Sequence, residues 1–572
     1  RIVLKNGEYV LEHPDMYTMA GYNEIKNHMS PVYPLTKGLS NKIVTKAVKQ
    51  AVDEYLAGME HEFIPACIMD KYGLSEHNKA MHNIHFPESM EDYVDARHRL
   101  AFEEFFLFVL ATLNLKSANE RIPNSYIIRN DERTDAFIKS LPYSLTGAQI
   151  RTWEEIKANM AGKHVTSRLI QGDVGSGKTI IAILSLMNTA FAGYQAAMMV
   201  PTEVLANQQY ESITTLFDKA GIDLKVGLLT GSMTQSAKRK VYRELESGEL
   251  DIVVGTHALI QENVVYNNLA LVITDEQHRF GVNQRKSFSD KGKNPHIIVM
   301  SATPIPRTLA IILYGDLDIS IIDELPANRL PIKNCVVDTS YRIKAYAFIS
   351  NQIKEGRQCY VICPMVEESE NIEAENVVDY AAKLREAIPT ARIDYLHGKM
   401  KPSQKNEIME KFVRGDTDVL VSTTVIEVGV NVPNSTVMMV ENSERFGLAQ
   451  LHQLRGRVGR GKHQSYCIFV TVAKSKQIKQ RLEILNKSND GFKIAEEDLK
   501  LRGPGDFFGI RQSGDFDFGI ADIYTDAATL KEASDAAKSI VDGLVNVDTE
   551  QYGYLKAKVD EYTVKCLEKI NL

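Results

Sequence analysis

Hydrophobic positions follow two rhythms along this chain. Over residues 26–140 apolar side chains recur at three- and four-residue spacing, most clearly at 42–56 and 93–115, which predicts amphipathic helices. From 141 onward short apolar runs alternate with amphipathic stretches, the pattern of a parallel sheet flanked by helices. Strands are predicted at 167–171, 196–200, 251–255, 269–274 and 296–301, and again at 358–363, 391–396, 418–422, 435–441 and 465–470. Two α/β sheets therefore follow one another, joined near Leu325-Pro326-Ala327-Asn328. The tail, 476–572, reads as helical, broken at Arg502-Gly503-Pro504-Gly505.

The start has a different texture. Arg1-Ile2-Val3-Leu4 and Tyr9-Val10-Leu11 flank Asn6-Gly7, a hairpin signal. Because the chain opens on Arg1, residues 1–25 are expected to be the end of a β domain whose earlier part lies outside this sequence. The run Phe105-Phe106-Leu107-Phe108-Val109-Leu110-Ala111-Thr112-Leu113, preceded by Glu103 and Glu104, is too short to span a bilayer and predicts a buried helix. The start carries no secretory-signal pattern.

Composition adds limits. The 572 residues allow several domains, and 44% hydrophobic with 25% charged residues is ordinary for a soluble globular protein. A net charge of −7 does not announce a nucleic-acid binder, so any positive surface must be local. The 6 cysteines form no paired framework; Cys359 and Cys363 read as buried thiols rather than zinc ligands, in a reduced, cytosolic chain. His77, His82 and His85 have spacing that a metal could use, but no cysteine or acidic pair adjoins them in sequence, so they read as solvated or capping histidines.

Chemistry enters at Gly172-Asp173-Val174-Gly175-Ser176-Gly177-Lys178-Thr179, which fits the phosphate-loop pattern between a predicted strand and a predicted helix. Glycines let the backbone wrap closely enough for its N–H groups to face phosphate oxygens at a helix N-terminus. Lys178 would reach the β and γ phosphates and Thr179 would hold Mg²⁺. Downstream, the strand 269–274 runs into Asp275 and Glu276. Asp275 would bind the metal through water, and Glu276 would polarise the attacking water. Gln453-Leu454-Arg455-Gly456-Arg457-Val458-Gly459-Arg460, late in the second α/β region, offers Arg457 and Arg460 as arginine fingers, with Gln453 counted in the same catalytic set. A basic helix face that contacts solvent or DNA phosphates is the blander reading of that run.

In this order the motifs resemble superfamily-2 helicases and, more closely, the RecG family of bacterial branched-DNA helicases, over residues 141–515. The resemblance implies two tandem RecA-like parallel-sheet domains, a helical linker before them and a helical-hairpin (TRG) region after them. Leu145-Thr146-Gly147-Ala148-Gln149 resembles the Q motif, in which Gln149 would read adenine and Tyr143 stack on it. Pro201-Thr202-Glu203, Leu229-Thr230-Gly231-Ser232 and Gly255-Thr256-His257 resemble DNA-backbone motifs, placing Thr202, Thr230, Gly231 and Thr256 on DNA. Hydroxyls and loop N–H groups bind phosphate without net charge, which suits a chain at −7. Ser301-Ala302-Thr303 resembles the motif that couples hydrolysis to DNA contact. His397-Gly398 and Ser422-Thr423 through Gly429 resemble second-lobe motifs, with His397, Gly398 and Thr423 toward DNA and Gly429 toward ATP.

Gln277 after the two acids matches RecG, whereas the related coupling factor Mfd usually differs there. Asp498-Leu499-Lys500-Leu501-Arg502-Gly503-Pro504-Gly505-Asp506 and Arg511-Gln512-Ser513-Gly514 resemble the TRG element, in which Arg481, Arg502 and Gln512 would link hairpin to loop. The expected domains are 1–25 (end of an OB-fold wedge), 26–140 (linker), 141–328 and 329–475 (motor lobes) and 476–572 (TRG and tail). The resemblance implies ATP and Mg²⁺, branched and double-stranded DNA as partner, no membrane, a monomeric motor and a cytoplasmic, nucleoid-associated location. An Mfd-like duplex translocase, an RNA helicase and a passive DNA-binding module stand as alternatives.

Overall fold

The computed structural model describes residues 2–5, 8–11, 18–19, 29, 31–36, 38–58, 62–119, 122–275, 288, 291–302, 317–326, 330–364, 370–423, 432–473, 475–502, 518–522, 525–544 and 549–570. Strands β1 (Ile2–Lys5) and β2 (Glu8–Leu11) pair antiparallel with Lys5 opposite Glu8. Two antiparallel strands on either side of Asn6-Gly7 are what the hairpin signal predicts. Helices α1 (Asn41–Tyr55), α2 (Ala66–Tyr72), α3 (His77–His85) and α4 (Met90–Asn119) follow. The phenylalanine-rich run lies on α4 and is buried, with Phe105 and Phe106 at 0% exposure. Arg99 is equally buried and fully engaged: it donates to Glu103, Glu62 and the Ser75 carbonyl. His77, expected to be solvated or capping, instead bonds to Glu103 at 2.9 Å, and His85 meets the Tyr33 hydroxyl at 3.0 Å. No cluster able to hold a metal occurs among the described residues.

Helices α5 (Glu132–Ser140) and α6 (Gly147–Met160) lead into the first sheet. Its strands are β3 (Ser167–Gly172), β4 (Gln195–Met199), β5 (Val226–Leu229), β6 (Ile252–Gly255), β7 (Leu269–Asp275), β8 (His296–Ser301) and β9 (Asp318–Ile322). They run parallel in the order β5-β6-β4-β7-β8-β3-β9. Helices α7 (Lys178–Phe191), α8 (Glu203–Ala220) and α9 (Gln235–Ser247) return the chain between strands. A parallel sheet covered on both faces needs strands that are apolar on both sides. Accordingly β4 and β6 are buried at every position. Tyr126, Ile128 and Phe137, from the stretch expected to be linker, are part of this lobe's core.

The second sheet comprises β10 (Lys333–Asp338), β11 (Gln358–Ile362), β12 (Ile393–Leu396), β13 (Val419–Ser422), β14 (Ser435–Val440) and β15 (Tyr466–Thr471), in the order β10-β15-β14-β11-β13-β12. Helices α10 (Arg342–Lys354), α11 (Glu370–Ala387), α12 (Pro402–Arg414) and α13 (Leu448–Arg455) belong to it. So do α14 (Lys476–Lys487) and α15 (Gly491–Arg502), two helices joined through residues 488–490, whose Leu482, Leu485 and Ile494 enter the lobe's core. The tail ends in α16 (Ala527–Val541) and α17 (Thr549–Ile570). Residues Arg1–Leu113 with Ile510–Ile570 form one unit, and Asn114–Gly509, with both sheets, the other. No helix among the described residues is long and apolar enough to cross a membrane.

Candidate nucleotide cleft and nucleic-acid interface

Parallel sheets place their functional loops at the carboxyl ends of strands. In the first lobe the register aligns Gln171 of β3 with Ser301 of β8, and Met300 of β8 with Asp275 of β7. The phosphate loop, Ser301 and Asp275 therefore share one edge, β3 and β7 lying two strand spacings or roughly 10 Å apart. Gly175 and Gly177 take positive φ of 80° and 87°, a conformation open to glycine at little cost. At Gly177 a Cβ would also collide with Gln149 Nε2.

Inside this loop the Lys178 ammonium donates to the carbonyls of Gly172 and Asp173, both at 2.8 Å. Thr179 follows, half-buried, in the first turn of α7, and Asp275 is half-buried at the end of β7. An ammonium, a hydroxyl and a carboxylate around a glycine loop fit a magnesium triphosphate. Gln149 holds the loop from behind. Its Nε2 donates to the Ser176 carbonyl at 2.8 Å, while its Oε1 closes a capping box on the Thr146 N–H. Both ends of the amide that was to read adenine thus have protein partners. Tyr143 is 49% exposed.

Across the cleft stands α13 of the second lobe. His452 Nε2 lies 2.5 Å from Asp173 Oδ1, and Gly456 abuts Val174. Burial pushes the Asp173 carboxyl up, but the bond to His452 and the nearby Val174 N–H and Lys178 outweigh it and hold it below its ordinary value. A cavity of about 140 Å³ lies beside this contact, lined by Asp173, Val174, His452, Arg455 and Gly456. Arg457 is buried, Gln453 and Arg460 are half-buried, and the Arg460 Nε donates to the Gly456 carbonyl. Burial pushes the neighbouring Tyr360 hydroxyl up to about 12 against the charges of Arg457 and Arg460. Glu276, Thr303, Gly429 and Gln512 lie outside the described residues, as does the side chain of Arg502, the last residue of α15.

Strands β5, β6 and β4 are neighbours, and Thr230, Thr256 and Thr202 lie just beyond their carboxyl ends. Thr202 caps α8 through the Leu205 N–H, and the Gly231 carbonyl accepts from Lys238. In the second lobe Leu396 pairs with Ser422, which brings His397, Gly398 and Thr423 to one edge. Thr423 Oγ1 and His397 Nδ1 are buried with no hydrogen-bond partner among the described residues. Burial, then the charges of Lys405 and Lys399, push the His397 imidazole down. Orphaned polar atoms of this kind call for a ligand or a water. On the hairpin, Arg481 of α14 faces the buried Asp498 of α15 at 3.8 Å and donates to the Phe446 carbonyl. The sequence reading missed His452 and Arg455, although their three-residue spacing puts them on one helix face directly beside Gln453.

The chain is similar to known proteins over both lobes and the tail. The profile of the DEAD/DEAH box helicases matches residues 146–312, that of the helicase conserved C-terminal domain 343–462, and that of "ATP-dependent DNA helicase RecG, domain 3, C-terminal" 488–569. The chain is 45% identical over 520 residues to the ATP-dependent DNA helicase RecG of Streptococcus pneumoniae serotype 4, covering 90% of this chain and 77% of that one. It is 43% identical over 523 residues to the RecG of Bacillus subtilis strain 168, covering 91% and 76%. A solved structure of RecG bound to a three-way DNA junction superposes with a TM-score of 0.73 at 36% identity, covering 94% of this chain and 70% of that one. With two helicase lobes, a shared cleft and relatives matched over most of their length, the chain belongs to the ATP-dependent DNA helicase RecG family.

Proposed function

We propose that this chain is an ATP-driven duplex DNA translocase that remodels branched DNA, reversing stalled replication forks and migrating Holliday junctions. The observation that carries the reading is the contact of the phosphate loop with the arginine-bearing segment across one cleft, Asp173 to His452 at 2.5 Å. The junction-bound RecG structure supports branched DNA as the partner.

In the proposed reaction a water oxygen attacks the γ-phosphorus, the bond to the β,γ-bridging oxygen breaks, and the water's proton passes toward the Glu276 carboxylate. Lys178 and the loop N–H groups bind the phosphates, and Arg457 and Arg460 stabilise the charge that spreads over the transferring group. Gln453 positions those arginines from α13, and Gly429 borders the nucleotide. Thr179 and Asp275 would hold Mg²⁺, which when bound neutralises phosphate charge. Gln149 would read adenine only by exchanging its bonds to the Ser176 carbonyl and the Thr146 N–H for the base, and Tyr143 would stack on it. Thr202, Thr230, Gly231, Thr256, His397, Gly398 and Thr423 track the DNA backbone, Ser301 and Thr303 couple the two sites, and Arg481, Arg502 and Gln512 join hairpin to loop. The boundaries 1–25, 26–140, 141–328, 329–475 and 476–572 mark the proposed functional parts of a monomeric motor at the bacterial nucleoid.

ATP turnover measured with forked DNA, linear duplex and RNA tests this reading. Stimulation by fork and duplex is expected, with Lys178→Ala and Glu276→Gln each abolishing it. Turnover indifferent to DNA would leave a passive binder, and preference for RNA would make the chain an RNA helicase.

A further inference from the structure

We propose that His452 is a positioning residue that carries the state of the phosphate loop to the α14–α15 hairpin. Its two ring nitrogens have partners that fix its proton. Nδ1 lies 2.5 Å from Arg455 Nη2, and a guanidinium can donate but never accept. Nδ1 must therefore be the acceptor. Nε2 then bears the hydrogen and donates to Asp173 Oδ1 at 2.5 Å. The ring is held between a buried guanidinium and a carboxylate.

The series continues at both ends. Arg455 Nη1 donates to the carbonyls of Leu485 at 3.3 Å and Ser488 at 2.9 Å, the turn between α14 and α15. Asn334 braces the same turn through the Leu485 carbonyl and Asn489. On the other side, the backbone carbonyl of Asp173 accepts from Lys178. A triphosphate that draws the ammonium onto its oxygens must loosen that bond, and the aspartate whose peptide shifts is the one that holds His452. Arg455 and His452 are 1% and 3% exposed, so solvent cannot replace a lost partner. An aspartate 279 positions away in sequence thus reaches the hairpin turn through two side chains in series. Coupling through such a chain is a claim about two arrangements, and must be shown by a change at one end when the other is altered.

Amide hydrogen exchange at residues 485–489 reads it directly, with and without a non-hydrolysable ATP analogue and Mg²⁺. In the unaltered protein the analogue is expected to change exchange there at least about tenfold. Two variants each cut one link. His452→Asn keeps an acceptor for Arg455 and loses Asp173; His452→Gln keeps a donor for Asp173 and loses Arg455. Each should bind the analogue yet show less than about a twofold change at 485–489, within the noise of such opening equilibria. Should one variant fail to fold, the other and Asp173→Ala, which removes the acceptor for His452, make the same test. Equal responses in variant and parent, or no response in the parent, would overturn the relay. Because the proposal rests on the motor reading, fork regression per ATP is measured in parallel. A relay with intact exchange coupling but no duplex movement would sink the motor and leave the relay standing.

Discussion

Gly456 of the second lobe sits so close to Val174 of the phosphate loop that a Cβ on the glycine would fall 2.6 Å from the valine Cβ and 2.8 Å from Cγ1. The glycine's φ of −65° suits any residue, so space, not backbone strain, demands its smallness. Gly456→Ala should therefore leave each lobe folded but hold the cleft open by a fraction of an ångström to an ångström. Misplacement on that scale can cost about 10²-fold in rate. We expect DNA-dependent kcat to fall by at least about tenfold. Val174→Gly in the same chain should restore part of it by removing the Cβ together with Cγ1 and Cγ2. Full activity in the single variant would show that this contact does not govern closure.

Much of this cleft was legible in sequence and its closing contacts were not, for a physical reason. Central strands such as β4 and β6 are covered on both faces, so their apolar runs stand out. The strands that pattern reading passed over, β5, β9 and β10, are sheet edges, and their half-exposed positions dilute the signal. Glycine loops and acids at strand ends are local patterns. The bond from Asp173 to His452 joins residues from two lobes, and no spacing along the chain encodes it. Arg99, fully buried by Glu62, Glu103 and Ser75, was likewise invisible until its partners were seen together in space.

Gln149 braces the loop that holds the phosphates, so its loss should act on binding before chemistry. Gln149→Ala removes the donor to the Ser176 carbonyl and half of the capping box with Thr146. Lost caps cost about 1 kcal/mol of stability. Steady-state kinetics should show KM for ATP raised about tenfold, equivalent to about 1.4 kcal/mol, with kcat within about threefold. A fall confined to kcat would place Gln149 in the chemistry instead.

His296 makes the first lobe sensitive to acid. Its Nδ1 accepts from the Thr166 N–H at 3.0 Å and its Nε2 donates to the Tyr126 carbonyl at 2.9 Å, so the folded state needs the neutral ring. Burial pushes its pKa down, only partly offset by the Tyr126 bond. The unfolded chain then binds the proton first. This stability is whole above about pH 6.5 and drains as pH falls toward the folded value, by at most about 1.4 kcal/mol per pH unit. Denaturant midpoints between pH 7.5 and 5 should fall less steeply in His296→Gln than in the parent, even though the variant starts lower. Parallel profiles would exclude His296 as the group responsible.

Glu104 on α4 accepts from three successive backbone N–H groups, those of Gly519, Ile520 and Ala521, at 2.8–3.3 Å. Just before them Phe518 sets its ring edge-on to Phe105 and Phe108, and just after them Asp526 takes a two-pronged bond from Arg97. The carboxylate therefore does for this segment what a helix cap does, gathering donors that have no helical carbonyl to face. Hydrogen bonds to a charged acceptor are worth about 1.5–3 kcal/mol each, more than the neighbouring contacts can replace. Glu104→Ala should speed amide exchange at 519–521 by at least about tenfold while β3 and β14 exchange as before. Glu104→Gln should lie closer to alanine than to the parent, because its NH2 end would confront backbone donors instead of accepting from them. If 519–521 remain protected in both variants, Phe518 and Arg97 hold the segment unaided, and double replacement with Arg97→Ala would then be needed to release it.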